Sequence, residues 1–244
     1  MIVNYQPVID LAGGNVAKVE VLSRPDAPGQ RIRDFVRVAE SSGFIKKVAD
    51  QVLETSLAEW KKAGRNDIAL SINLSLQNLD ERDLAKRVLK SLKKHQFEPT
   101  SLWFEIDEKA QNLNNGGWLE RMRELASAGV RFSVDSFGGE LSQATIYDLN
   151  RMPIAELKID GQVIADCDTN MTHRGHIDST VQIARMLKLA TSAKGIEHEQ
   201  IAKIVTRLGC TYGQGYFYGR PAPIGDVIRM LDRPRSPISS APQR

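Results

Sequence analysis

The 244-residue sequence predicts one α/β domain, a closed (β/α)8 barrel over 1–232, followed by a disordered tail over 233–244. Three observations carry that expectation. Short β-rich runs alternate with longer helical runs about eight times, the pattern of mostly parallel strands joined by helical crossovers. The length suits a single barrel of this kind. No Gly-x-Gly-x-x-Gly follows the first strand, which weighs against an open doubly wound sheet, the other reading of the same alternation.

Strands are expected at 2–9 and 18–23, before helical runs at 35–41 and 48–62, the second followed by Gly64. A third strand at 68–73 leads into the clearest helix, 80–96, with Leu84, Val88, Leu89 and Leu92 on one face and Asp80 placed to cap it. A strand at 102–106 and a helix at 119–128 come next, closed by Gly129. Strands at 131–135 and 156–160 flank a helix at 145–150. A helix at 177–187, a strand at 190–194 and a helix at 200–208 precede Gly209. A last strand at 213–218 and a helix at 224–231 complete the pattern. Gly64, Gly129 and Gly209 stand where a left-handed residue closes a helix.

Composition narrows the function classes. At 41% hydrophobic and 26% charged, the chain reads as an ordinary globular protein. No apolar run approaches the roughly 18 residues of a membrane span, and MIVNYQPVID lacks a signal-peptide pattern. Cys167 and Cys210 match no metal or redox spacing, so a reducing cytoplasm is expected. The formal charge of +3 comes from Arg233, Arg235 and Arg244 in the Pro/Ser-rich tail. The remaining chain holds 30 bases and 30 acids, so no global field favours nucleic acid.

A barrel of this kind gathers its active groups at the C-terminal strand ends. There the sequence places Glu20 to Arg24, Asn73 to Ser75, Glu105 to Glu108, Asp135 to Gly138, Lys158 to Asp160, Lys194 to Glu197, and Gln214 with Gly215. Buried acids are costly unless paired or bound to metal. Any one of them fits a structural ion pair, the preferred reading for Asp160 and Glu108. Glu20, Asn73, Glu105 and Asp135, on four neighbouring strands, look like a hard-cation site for Mg2+ or Mn2+.

Tyr5-Gln6-Pro7, Glu20-Val21-Leu22 with Arg24, Asn73-Leu74-Ser75, Glu105-Ile106-Asp107-Glu108, Asp135-Ser136-Phe137-Gly138, Lys158-Ile159-Asp160 and Gln214-Gly215-Tyr216 with Gly219-Arg220-Pro221 resemble the motifs of the EAL domain, in the same order. The resemblance implies a modified TIM barrel that hydrolyses cyclic di-GMP to linear pGpG with divalent metals. It assigns Glu20, Asn73, Glu105 and Asp135 to metal, Lys158 to orienting the attacking water, and Glu108 to bracing the loop after strand five. Gln6, Leu22, Arg24, Asp135, Glu197, Gln214 and Pro221 fall at ligand-contacting positions. Two metals would supply hydroxide, and an Arg would fork onto phosphate oxygens.

Four departures follow. Ser136 stands where active members carry a second aspartate, and Lys194 where they carry glutamate. The first motif reads Glu-Val-Leu. The loop Gly138 to Ser142 lacks the Thr-Gly-Tyr that couples dimerisation to metal binding, so dimerisation stays open. The first two departures move the site three charge units towards positive. Unit charges 4 Å apart interact by about 4 kcal/mol at an effective dielectric near 20, so Mg2+ or Mn2+ binding is expected to be weakened. The Lys194 ammonium is expected among Glu20, Glu105 and Asp135 in place of a metal, held charged by them.

The expected function is that of a degenerate EAL protein, inactive or nearly so, which needs no cofactor to bind cyclic di-GMP and relays occupancy to a protein partner. The alternatives are a nucleotide-independent interaction regulator, as of a flagellar transcription activator, and a weak metal-dependent phosphodiesterase. His173 and His176 read as a solvated helix start, Lys46-Lys47 and Lys93-Lys94 as wet helix faces, and Trp60, Trp103 and Trp118 as core or interface.

Overall fold

The computed structural model describes residues 1–25, 32–65, 67–107, 117–137 and 143–232. Its eight strands are β1 (Ile2–Asp10), β2 (Val16–Arg24), β3 (Ala69–Asn73), β4 (Leu102–Asp107), β5 (Arg131–Phe137), β6 (Glu156–Ile159), β7 (Ala190–Ala193) and β8 (Tyr212–Gln214). They close into a barrel in sequence order. Strands β2 to β8 pair parallel, whereas β1 runs antiparallel to both β2 and β8. The link from β1 to β2 is a tight hairpin, held by Asp10 N–H to the Asn15 carbonyl at 2.9 Å and Gly14 N–H to the Asp10 carbonyl at 2.8 Å. A link that short cannot carry the helical crossover that parallel neighbours need, so the first strand must reverse.

The described helices are α1 (Ile32–Ser41), α2 (Ile45–Ala63), α3 (Leu76–Leu79), α4 (Leu84–His95), α5 (Gly117–Ser127), α6 (Gln143–Arg151), α7 (Gly161–Ala165), α8 (Met171–Met186), α9 (Glu199–Leu208) and α10 (Ile224–Leu231). The expected left-handed caps form at Gly64 and Gly209. Asp80 does not start α4; it ends the short α3, whose own cap is Ser75, accepting from the Asn78 N–H. A turn occupies 80–83, so the expected helix starts four residues late as α4, and the short α3 before it was not expected. α8 begins at Met171, six residues early, because the Asn170 side chain accepts from the Thr172 and His173 N–H groups. β8 stops at Gln214 rather than at 218 because the chain turns at Gly215, whose carbonyl accepts the N–H groups of Tyr218 and Gly219. The tail 233–244, the loop 138–142 and Glu108 lie outside the described residues.

Register decides which side chains face inward, because alternate residues of a strand share a face. Leu70, Ile72, Phe104, Ile106, Phe132, Val134 and Leu157, all at most 2% exposed, pack in a core with α2, α4 and α5 residues such as Leu57, Val88 and Met122. Trp60 and Tyr5 belong to that core, with ring centroids 5.3 Å apart. A second cluster joins Ile159 and Ala193 to Val163, Ile177, Val181 and Val205 of α7, α8 and α9. The alternate set is polar. Glu20 pairs with Ser71, Asn73 with Glu105, Glu105 with Ser133, Ser133 with Glu156, and Lys158 with Ser192. Apolar side chains therefore dock the helices while charged ones line the lumen.

Candidate functional site

The lumen holds a charged layer with one ammonium at its centre. Lys158 on β6 is wholly buried; its Nζ lies 3.0 Å from Oε2 of Glu20 on β2 and 2.5 Å from Oε2 of Glu105 on β4. The remaining oxygens are also engaged. Asn73 Nδ2 donates to Glu20 Oε1 at 3.2 Å, and the Ser71 hydroxyl donates to Glu105 Oε1 at 2.6 Å. Gln214 Nε2 donates to Glu20 Oε2 at 2.6 Å and to Gln6 Oε1 at 3.1 Å, and Gln6 Nε2 donates to the Gly219 carbonyl at 3.0 Å.

Two carboxylates share this cation unequally. Burial raises the pKa of Glu20, but Lys158, Lys194 and the Gln214 amide outweigh it and hold the group down at about 2. Burial and then the neighbouring Glu20 charge push Glu105 up to about 7. Burial opposes the Lys158 charge as well, and the charges of Glu105 and Glu20 more than restore it, raising its pKa. A lone ammonium between two buried acids favours one charged and one neutral carboxyl group.

A second ion pair lies nearer the mouth. Lys194 follows β7 and donates to Asp135 Oδ1 on β5 at 2.6 Å, with both side chains about one-fifth exposed (24% and 20%). Its backbone is fixed by Lys194 N–H to the Ile159 carbonyl at 3.3 Å. The next residue, Gly195, has φ +72, and a Cβ there would meet Gly161 Cα at 3.3 Å, so only glycine fits without strain. Ser136 takes φ +55 where β5 departs from regular pairing with β6, and its hydroxyl lies 3.4 Å from Asp135 Oδ2.

A cleft of about 380 Å3 opens above these groups, lined by Gln6, Glu20, Leu22, Lys194, Glu197 and Gln214, with Gly195, Gly215 and Tyr216. Tyr216 is half exposed, and the Arg220 guanidinium stacks on its ring at 4.1 Å.

Of the residues singled out from sequence, Glu20, Asn73, Glu105, Lys158, Gln6 and Gln214 form one bonded network. Asp135 joins Lys194 instead, while Leu22 and Glu197 form cleft wall. Arg24, exposed at the end of β2, and Pro221 are not among the described residues that line the cleft. The central position expected for Lys194 is corrected in part: its contact with Asp135 forms, but among the described residues the ammonium bonded to Glu20 and Glu105 is that of Lys158. Lys194 extends from just past the end of β7, two residues beyond Ser192, which pairs with Lys158, and so meets Asp135 in the upper layer. The Ser71 hydroxyl was missed; its position two residues before Asn73, on the same strand face, is the signal that could have found it.

Whether this donor set fits divalent metal follows from its charges. The oxygens suit a hard cation, but each of the three acids already meets an ammonium group. Among the described residues, no three Asp, Glu, His or Cys side chains gather into a cation-holding group. Among the described residues, acids already paired in this way do not fit a two-metal centre. Also among the described residues, no helix is long and apolar enough to cross a membrane.

A closed eight-stranded barrel with a reversed first strand and a carboxylate-bearing mouth defines a modified TIM barrel with an open cleft beside its charged layer. The family model of the EAL domain matches residues 1–221, and the chain belongs to that family. It is 30% identical over 234 residues to the bifunctional diguanylate cyclase/cyclic di-GMP phosphodiesterase MucR of Pseudomonas aeruginosa, covering 93% of this chain and 34% of MucR. It is 29% identical over 229 residues to the probable cyclic di-GMP phosphodiesterase PdeI of Escherichia coli, covering 90% of this chain and 28% of PdeI. The chain thus spans about a third of the length of these relatives. The solved PaMucR phosphodiesterase in complex with c-di-GMP superposes with a TM-score of 0.85 at 29% identity, covering 93% of each chain. The FimX EAL domain of Pseudomonas aeruginosa bound to c-di-GMP shares the fold, with a TM-score of 0.78 at 22% identity over 90% of each chain.

Proposed function

We propose that this chain is a cyclic di-GMP receptor whose phosphodiesterase centre is silent or nearly so, and that it relays occupancy to a protein partner. Family membership and the c-di-GMP complex of the PaMucR structure support the ligand class. The observation that carries the loss of hydrolysis is the Lys194–Asp135 ion pair, which puts a cation on an acid that the family resemblance assigns to metal. In this reading Gln6, Leu22, Glu197 and Gln214 contact the nucleotide, and Arg24 reaches phosphate oxygens from the rim. Lys158 keeps the acids beneath the cleft neutralised rather than positioning water.

The relay has a physical route. Gln214 links the Glu20 carboxylate to Gln6, and Gln6 holds the Gly219 carbonyl in the segment that presents Tyr216 and the partly exposed Phe217. A ligand that takes either amide from its partner changes the support of that surface. The same exposed aromatics favour the second reading, a nucleotide-independent partner protein. Isothermal titration of cyclic di-GMP in EDTA, and then in Mg2+ or Mn2+, with assay for pGpG, separates these. Binding in EDTA without product supports the receptor. No binding in either buffer leaves the interaction reading, and metal-dependent product restores the enzyme.

A further inference from the structure

We infer that Lys194 is the anion-holding residue of the cleft, a cation built into the chain that meets the ligand phosphodiester where a metal ion does not fit. This rests on the receptor reading above and names the residue through which it works. Among the described cleft-lining residues, the charged groups are Glu20, Glu197 and Lys194. An anionic phosphodiester entering past two carboxylates is repelled unless a cation lies within reach. Lys158 is wholly buried beneath the cleft and bonded to two acids, while Arg24 and the Arg220 guanidinium on Tyr216 lie outside the lining and meet a ligand only from the rim, so Lys194 is the cation of the described cleft wall.

Lys194 has the reach and the unused capacity. Its ammonium carries three N–H donors and spends one on Asp135 Oδ1. Among the described residues no other hydrogen bond of this ammonium is formed, and the side chain is a quarter exposed on the cleft wall, which leaves donors for a ligand oxygen. The backbone bond to Ile159 and the close packing of Gly195 on Gly161 fix where that side chain starts. Asp135 holds the ammonium at the cleft wall and would compete with the phosphodiester for it. The two residues therefore have opposite effects on affinity, which a merely structural ion pair does not produce.

The test is titration of cyclic di-GMP in EDTA into the wild type, Lys194→Ala, Lys194→Gln, Lys194→Arg and Asp135→Asn, each checked for an unchanged thermal unfolding transition. Lys194→Ala and Lys194→Gln are expected to weaken binding by about tenfold or more, the usual effect of losing a charge-assisted hydrogen bond. Lys194→Arg is expected to stay within about threefold of the wild type, since it keeps the charge. Asp135→Asn, which releases the ammonium, is expected to bind more tightly. Wild-type affinity in both neutral variants overturns the inference, as does an Asp135→Asn variant weakened like Lys194→Ala. Failure of the wild type itself to bind overturns the receptor reading instead, and this inference with it.

Discussion

At the floor of the barrel, beneath the acid pair, the ammonium of Lys18 on β2 is bonded to Glu156 Oε2 on β6, with neither side chain more than 2% exposed. The ammonium also lies 3.9 Å from the centroid of the Trp103 ring. Burial drives the Lys18 pKa down, the Glu156 charge opposes that, and the nearby Lys158 charge adds to the fall. Glu156 Oε1 has no hydrogen-bond partner among the described residues. Removing one member of such a pair strands the other, at about 3–5 kcal/mol, whereas replacing both with apolar residues is often neutral or stabilising. Lys18→Met and Glu156→Leu are each expected to lower the urea midpoint strongly. The double variant is expected to recover most of the loss. Additive losses in that cycle would show that the two charges are not coupled.

The alternation of elements made the barrel legible, because each strand pattern is short and every one after the first is followed by a helix. The reversal of β1 was not, since an isolated strand carries no mark of its direction; only the short link through Gly14 signals it. In the site, residue types were legible but reach was not. Lys158 and Lys194 are both lysines at strand ends, yet the register puts one in the acid layer and the other above it. Which carboxylate each ammonium meets depends on barrel closure, a long-range property that motif spacing does not encode.

The mouth of the site gives a prediction about metal. Ser136 already holds a left-handed backbone, φ +55, that aspartate tolerates better than most residues, so Ser136→Asp adds a carboxylate without new strain. Lys194→Glu removes the cation beside Asp135 and adds an anion. The double variant is expected to bind Mn2+ more tightly than either single variant, measured by calorimetry at fixed ionic strength. Equal Mn2+ affinity in the double variant and the wild type would contradict the charge account of the site.

Acid stability is expected to depend on a group far from the cleft. Glu54 on α2 accepts hydrogen bonds from Ser91 at 2.5 Å and Lys94 at 2.7 Å, and contacts His95 at 3.0 Å, all on α4. Burial works to raise its pKa, but the bonds to His95, Lys94 and Ser91 hold it at about 2, against an ordinary 4.5. The folded chain therefore releases this proton more readily than the unfolded chain. The contribution is complete above pH 4.5 and is lost as pH falls towards 2. Glu54→Gln is expected to be less stable than the wild type at pH 6, with the gap closing at pH 3. A gap of constant size across that range would show that ionisation of Glu54 is not the cause.

The wall between β7 and β8 has no room for a side chain at Gly215. A Cβ there would lie 2.0 Å from the Ile196 carbonyl oxygen and 2.3 Å from its nitrogen. Those same Ile196 groups bond the Gln214 carbonyl and the Phe217 N–H, each at 3.0 Å, and so join the two cleft-lining segments. Backbone cannot yield as a flexible side chain does, so the segments must separate. Gly215→Ala is expected to cost about 3 kcal/mol or more and to lower ligand affinity together with stability. The control is Gly175→Ala in the exposed part of α8, where nothing lies within 4 Å of the new methyl group. Alanine there is expected to stabilise by about 0.5–1 kcal/mol through helix propensity. Guanidinium unfolding of the two variants therefore gives shifts of opposite sign, and a Gly215→Ala midpoint at or above the wild-type value would mean that the β7–β8 wall is not rigidly packed.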